Sequence, residues 1–205
     1  MMVTIWYLKD YISKLNKYKR VTSLKRTNDS LIFLYFMHIL SLKGVCKMKN
    51  ILKHYTLIGI IFVTMTGTLS HFVYEWSGEN PFLALFFPIN ETTWEHMKLI
   101  FFPSIVYAVF MVYKLYFLYP HIIFTLSAGI FVGTFSIPVI FYTYTGILGF
   151  HTLFLDIITF LLGVIITFLS TYFFTVSCHF KKQVLWIIAL LFLTLCFFFF
   201  SIIQI

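Results

Sequence analysis

The amino-acid sequence predicts an all-α membrane protein, a polytopic bundle of five transmembrane helices. Hydrophobic residues make up 60% of the 205 residues and charged residues only 11%, a composition far from that of an ordinary soluble domain. Several uncharged apolar runs reach the length of roughly 20 residues that a helix needs to cross a bilayer. Each run is predicted to be helical, because backbone groups in hydrocarbon must find hydrogen-bond partners within their own segment.

Short polar stretches separate the five predicted spans. Residues 74–92 and residues 141–151 are predicted to be loops. The spans are predicted at residues 55–72, 93–113, 121–140, 151–174 and 184–203.

Three spans carry features that predict their packing. In span 2, Pro103 removes the amide hydrogen that would bond the Leu99 carbonyl, so a kink is expected there. In span 3, Gly129 and Gly133 form a small-residue motif that indicates close packing against another helix of the same chain. Span 5 has almost no polar side chain and is predicted to face lipid, away from any chemistry.

Residues 1–47 differ from the rest of the chain. They contain nine Lys or Arg against Asp10 and Asp29, a net charge of +7, and their apolar run at residues 31–42 is too short to span a membrane. Met48 opens a short basic prefix that is followed by span 1. We interpret residues 1–47 as an upstream extension produced by the choice of start site; the alternative is a basic arm on the membrane surface.

Lysine placement predicts the orientation. The lysines before span 1, Lys114 after span 2, and Lys181 and Lys182 between spans 4 and 5 all fall on one side of a five-span chain. By the positive-inside rule this side is the cytoplasm. The sequence therefore predicts a multi-pass cell-membrane protein with the N-terminus inside and the C-terminus outside.

The acidic residues after Met48 all map to the opposite, extracytoplasmic side. Residues 48–205 contain six Lys or Arg and five Asp or Glu, a net charge of +1, so this part of the chain offers no basic surface for nucleic acid. The expected non-protein partner is membrane lipid. The five acidic residues are Glu75, Glu79, Glu91, Glu95 and Asp156.

Asp156 is the strongest single candidate for function. A carboxylate among apolar neighbours inside a span is costly and is expected to face the bundle interior, where it pairs or reacts. The alternative for Asp156 is a structural pair with Lys98 or with a hydroxyl. The positions also predict that Asp156 and His96 face one interior cavity, within reach of Glu75 or Glu91.

Other candidates have plain structural alternatives. His71 and Glu75 lie four residues apart and share a helix face, either as an acid–base or metal-binding pair or as a solvated helix end. Glu95 follows Thr92 by three residues in the pattern of a helix capping box. Lys98 either pairs with Glu95 or Glu91 or extends to the membrane surface.

Candidate roles follow from these positions. His96, Asp156 and Glu95 are the candidate catalytic residues, and a divalent metal is the candidate cofactor because nitrogen and oxygen ligands are abundant here. The candidate metal ligands are His71, His96 and Asp156. The candidate substrate-binding residues are His71, Glu75, Asn90, Glu91, Trp94, Lys98 and His151.

Two segments resemble a known family. The segments "HFVYEWSGENPFLALFFPINETTWEHMKLIFFP", residues 71–103, and "FYTYTGILGFHTLFLDIITF", residues 141–160, resemble a family of bacterial integral membrane proteins known as domain of unknown function 6512. The resemblance covers about residues 48–180 and leaves out residues 1–47. It implies a membrane protein and supplies no activity.

Three function classes remain open from the sequence. The first is a membrane enzyme with an outward-facing polar site, such as a metal-assisted hydrolase or a lipid-modifying enzyme. The second is a membrane scaffold or partner subunit in which the polar residues only hold helices together. The third is an ion-coupled transporter, which is disfavoured because the predicted cytoplasmic half has few polar residues and no internal repeat is evident.

Overall fold

The computed structural model describes the backbone of residues 29–177 and 183–204, and the side chains of residues 49–177 and 184–204. The described residues contain six helices and no strand. The predicted all-α class is therefore confirmed. Two compact units are distinguished, residues 1–50 and residues 51–205, and the second contains all the contacts described below. The helices are α1 (Asp29–Trp76), α2 (Pro81–Ala84), α3 (Thr93–Leu115), α4 (Ile122–Leu148), α5 (Leu153–Ser177) and α6 (Gln183–Gln204).

Five of these helices contain segments long and apolar enough to cross a membrane. The segments are Lys49–Trp76, Thr93–Leu115, Ile122–Leu148, Leu153–Ser177 and Val184–Gln204. The predicted number of spans is therefore confirmed, and the apolar core of each predicted span lies within one of these segments.

The helix α1 extends beyond predicted span 1 in both directions. It has 48 residues and includes the apolar run at residues 31–42, which is by itself too short to span a membrane. Hydropathy alone marks only the apolar part of a helix, and the residues between the two apolar runs include no proline to interrupt it. Residues 1–28 lie outside the described residues, so the interpretation of residues 1–47 stays a prediction.

The segment between α1 and α3 is more ordered than a simple loop. Gly78 and Glu79 adopt left-handed backbone conformations directly after α1, with φ of 69° and 61°. The side chain of Asn80 then accepts a hydrogen bond from the Phe82 amide and caps the short helix α2, which begins with Pro81. The segment therefore packs onto the bundle through α2, whose Ala84 is completely buried.

The helix α4 continues past the predicted end of span 3 at Ile140. It ends at Leu148, where Gly149 takes a left-handed conformation with φ of 78° that most other residues disfavour. The threonine hydroxyls of Thr143 and Thr145 bond carbonyls one turn back, so polar residues continue the helix. The predicted loop at residues 141–151 was therefore wrong for most of its length.

The packing of α4 against α5 depends on the predicted small-residue motif. A Cβ atom at Gly133 would lie 2.7 Å from the Cβ of Thr167, and one at Gly129 would lie 2.7 Å from the Thr167 carbonyl oxygen. The two helices can approach this closely only because both positions lack a side chain. The interpretation of intramolecular packing is confirmed, and this contact fixes the ends of α4 and α5 relative to each other.

Candidate functional site

Most of the candidate residues lie at one end of the bundle, which we call the polar end. It is formed by the C-terminal ends of α1, α4 and α6 and the N-terminal ends of α3 and α5, together with the α1–α3 connection. Among the described residues after Met48, every acidic residue belongs to this end. The predicted location of the acidic residues within the bundle therefore agrees with the structure.

His71, Glu91 and His96 form a compact cluster at the polar end. Their potential ligand atoms all lie within 4.8 Å of one another. The Glu91 carboxylate stands between the two imidazoles, with Oε1 at 3.6 Å from His71 Nε2 and Oε2 at 3.3 Å from His96 Nε2. The imidazole rings themselves are 5.5 Å apart in a T-shaped arrangement. Two imidazole nitrogens and one carboxylate oxygen therefore lie close enough together to be candidate ligands of one metal ion.

The orientation of the His96 ring is determined by the backbone of its own helix. Nδ1 lies 2.9 Å from the Thr92 carbonyl oxygen, which can only accept a hydrogen bond. In the neutral ring Nδ1 therefore carries the proton, and Nε2 presents a lone pair toward the Glu91 carboxylate. The Glu91 side chain is 78% exposed, so this lone pair and the carboxylate face each other at a solvent-accessible position that a metal ion could reach.

A close approach of two helices one turn below the cluster brings the histidines together. A Cβ atom at Gly67 would lie only 2.6 Å from the Leu99 carbonyl oxygen, so α1 and α3 touch through backbone at this point. This is the carbonyl freed by Pro103, which lies inside α3. Gly67 shares a helix face with His71, and Leu99 shares one with His96, so the contact sets the separation of the two imidazoles.

Asp156 lies on α5 beside two partners at the same end. Its Oδ1 accepts a hydrogen bond from the Tyr144 hydroxyl, and its Oδ2 lies 3.5 Å from His151 Nδ1. The side chain of Asp156 is 27% exposed, whereas that of His151 is 70% exposed. The structural alternative of a hydroxyl partner for Asp156 therefore agrees with the structure, and a pair with Lys98 does not.

One cavity connects the two groups. It has a volume of about 330 Å³ and is bounded by α3, the end of α4 and the start of α5. Its polar lining comes from Glu91, His96, His151 and Asp156, together with threonine side chains. His96 and Asp156 therefore face one cavity within reach of Glu91, as their positions predict; what they do there stays a prediction.

Glu95 and Lys98 lie elsewhere, in a separate buried ion pair. Lys98 Nζ donates to Glu95 Oε2 at 2.6 Å, to Ser201 Oγ at 2.6 Å and to the Ala84 carbonyl at 3.0 Å. Both side chains are completely buried, and neither lines the cavity. The expected grouping of Glu95 with His96 and Asp156 was wrong, because adjacent positions on a helix point about 100° apart. Lys98 also does not extend to the surface.

The remaining candidates surround the cluster without joining it. Glu75, the expected partner of His71, is exposed at the end of α1. His71 lies instead beside Glu91. Asn90 accepts hydrogen bonds from Thr92 and donates to Gln204 at 3.3 Å. Trp94 packs against Phe197 and Phe200 of α6.

Span 5 is mostly exposed, as expected for a lipid-facing helix, but it also makes structural contacts that the sequence did not predict. Ser201 and Gln204, near the C-terminal end of α6, bond Lys98 and Asn90 of the polar end. Hydropathy is averaged over a whole segment, so the two polar residues that make these contacts do not alter the apolar character assigned to α6. Their position near the helix end was the signal that could have found them.

Tyr144 is the other partner that sequence reasoning missed. The sequence places it in a loop, whereas it lies on α4 and bonds Asp156. The spacing of twelve residues between Tyr144 and Asp156 does not predict a contact, because the connection between α4 and α5 could place the two side chains in many relative positions. Tyr144 reaches Asp156 because α4 continues as far as Leu148.

The fold and the site define a multi-pass helical membrane protein with a histidine–carboxylate cluster at one end of its bundle. Within this class, the model of the family of unknown function DUF6512 matches residues 45–204, and the chain belongs to this family. No curated protein and no solved structure matches the chain. The resemblance seen in the sequence is confirmed and extends to the end of α6.

Proposed function

We propose that the chain is a metal-dependent membrane hydrolase, with a divalent cation held by His71, Glu91 and His96. The observation that carries this proposal is the convergence of these three side chains, two of which, Glu91 and His96, line the cavity that Asp156 also lines. The sequence-based candidate ligands were His71, His96 and Asp156. The proposed set contains Glu91 in place of Asp156.

The donor set favours zinc among the divalent metals, because histidine nitrogen and carboxylate oxygen are usual zinc ligands in proteins. Tetrahedral zinc with bonds of about 2.0–2.2 Å places neighbouring ligand atoms roughly 3.3–3.6 Å apart. The 3.3 Å and 3.6 Å separations join the two imidazole nitrogens to different oxygens of the Glu91 carboxylate, and with one ligand atom per residue the three atoms lie within 4.8 Å of one another, so zinc binding would draw them slightly closer. His71, Glu91 and His96 would supply three ligands, as in catalytic zinc sites, and the metal would there supply Lewis-acid activation of water.

Asp156 supplies the acid–base group in this proposal. The Tyr144 hydroxyl occupies one carboxylate oxygen and orients the group, and each oxygen retains a further lone pair. Asp156 accepts a proton from the attacking water and returns it to the leaving group, which balances the hydrolysis. His151, which approaches the second oxygen, is the candidate for exchanging that proton with solvent.

The proposal is tested by the metal content of the protein. The full chain, purified in mild detergent without chelator and equilibrated with Zn²⁺, is expected to retain about one zinc ion per chain after desalting, as catalytic zinc sites do. Elemental mass spectrometry measures the ratio. Retention of no metal after equilibration would contradict the proposal.

The alternative function is a membrane scaffold or partner subunit without chemistry. The buried Lys98–Glu95 pair favours it, because this pair joins α3, α2 and α6 and serves packing alone. A scaffold requires no bound metal, so the same measurement separates the two functions.

We also propose that the polar end faces outward in the cell membrane, with the C-terminus outside. The support is the placement of Lys49, Lys53 and Lys114 at the opposite end of the spans. An alkaline phosphatase fused after Ile205 is expected to be active, because this reporter folds only outside the cytoplasm. A fluorescent-protein fusion at the same place is the control, and fluorescence there with an inactive phosphatase would reverse the orientation.

A further inference from the structure

The cavity changes from polar to apolar with depth. His96 and Asp156 lie within the first turns of α3 and α5, whereas Leu99 and Phe160 lie about one turn further into the same helices. Ile137 of α4 lies seven residues before Tyr144, which corresponds to about 10 Å along the helix. A ligand that fills this cavity therefore needs a polar group at one end and hydrocarbon at the other.

The mouth of the cavity borders an apolar surface. Leu153 lines the cavity at the first turn of α5 and is 77% exposed. Its neighbour Phe154 and Ile147, near the end of α4, are also largely exposed. In a bundle that crosses a membrane, side chains of this kind face lipid, so the cavity can be entered from the bilayer.

The size of the cavity limits what it can hold. A volume of about 330 Å³ is at the small end of ligand pockets, which are roughly 300–1,000 Å³. It suits one hydrocarbon chain attached to a compact polar group and is too small for a complete two-chain lipid. The polar lining of histidines and carboxylates suits an ester, amide or phosphoryl oxygen that a cation can polarise.

From these features we propose that the cavity holds one acyl chain of a membrane amphiphile, with its polar linkage beside His96 and Asp156. The proposal names the substrate class for the hydrolase and rests on that function for the position of the linkage. Binding of the acyl chain depends on the apolar inner part of the cavity and does not depend on the metal.

Photo-crosslinking tests the position of the chain. The full protein is reconstituted into phosphatidylcholine vesicles that contain a fatty acid with a mid-chain diazirine, or phosphatidylcholine esterified with it. After irradiation, mass spectrometry is expected to find the label on Ile137 and Phe160. The two probes distinguish a free fatty acid from a chain of an intact lipid. Labelling confined to exposed residues such as Val139 would overturn the proposal.

A pair of substitutions on one helix provides the control. Ile137→Trp fills the cavity and is expected to abolish labelling of Phe160, whereas Val139→Trp, at a position 65% exposed on α4, leaves it unchanged. Thr159→Phe fills the cavity from α5 and serves if Ile137→Trp does not fold. Labelling of Phe160 at the wild-type level in a folded filling variant would also overturn the proposal.

Metal content, measured on the same samples, separates the two proposals. Both filling variants are expected to keep the zinc of the wild type, because neither residue belongs to the cluster. In the wild-type protein, zinc binding without labelling of Ile137 and Phe160 means that the acyl-chain proposal fails and the metal site stands. Labelling without zinc means that the hydrolase proposal fails while the chain-binding cavity stands.

Discussion

Replacement of Lys98 by methionine is expected to lower the free energy of unfolding by about 3–5 kcal/mol, the cost of breaking a buried ion pair by removing one partner. The substitution preserves most of the apolar length of the side chain but leaves the Glu95 carboxylate buried without its cation. It also removes the hydrogen bonds to Ser201 and to the Ala84 carbonyl, so α2 and α6 lose their link to α3.

The measurement is thermal or denaturant unfolding of the purified protein in detergent, followed by its helical signal. Lys114→Met is the matched control: Lys114 is an exposed lysine at the other end of α3, and its loss is expected to change stability by less than about 0.5 kcal/mol. Equal effects of the two substitutions would contradict the prediction.

A double substitution distinguishes the ion pair from simple packing. When Lys98→Met is combined with Glu95→Gln, no unpaired charge is buried, and the amide oxygen of the new side chain can still accept from the Ile89 amide as the Glu95 carboxylate does. Much of the lost stability is therefore expected to return. A double variant as unstable as the sum of both single variants would show that charge pairing is not the cause.

Substitution of His96 by alanine is expected to weaken zinc binding by more than about 100-fold. Loss of a supporting hydrogen bond alone costs roughly 10–100-fold in metal affinity, and removal of one ligand from three costs more. His71→Ala is expected to have the same effect, because its Nε2 is the other nitrogen of the cluster. Competition with a chromogenic chelator measures the affinity of each purified variant.

Two controls identify the ligand set. His121→Ala removes an exposed histidine at the start of α4, at the other end of the bundle, and is expected to leave zinc binding unchanged. Asp156→Asn is expected to retain zinc, because Asp156 lies outside the His71–Glu91–His96 cluster. Loss of zinc in Asp156→Asn, with retention in Glu91→Gln, would instead favour His71, His96 and Asp156 as the ligands.

The number of spans and their order could be derived from the sequence because burial in lipid is a property of segments. An apolar run of about 20 residues needs no tertiary partner to be identified, and a capping residue such as Thr92 acts within one turn. The packing motif at Gly129 and Gly133 is similarly local. Helix ends were less predictable, because α4 continues through polar residues until Gly149 allows the chain to turn.

The assignment of partners required the tertiary structure. Sequence position predicts that His96, Glu91 and Asp156 lie at the same end, because three helix ends meet there, and they do line one cavity. It could not separate Glu95 from His96, which are neighbours in sequence but belong to an ion pair and a histidine cluster on different sides of α3.

The sequence by itself therefore determined the class of the protein, its five spans and the end of the bundle that carries its polar side chains. The tertiary structure alone decided that Glu91 joins His71 and His96, that Tyr144 bonds Asp156, and that Ser201 bonds Lys98. The physical reason is that hydropathy and helix periodicity act along one chain segment. A contact between side chains depends on helix rotation and on close approaches such as that of Gly67 to the Leu99 carbonyl, and hydropathy records neither.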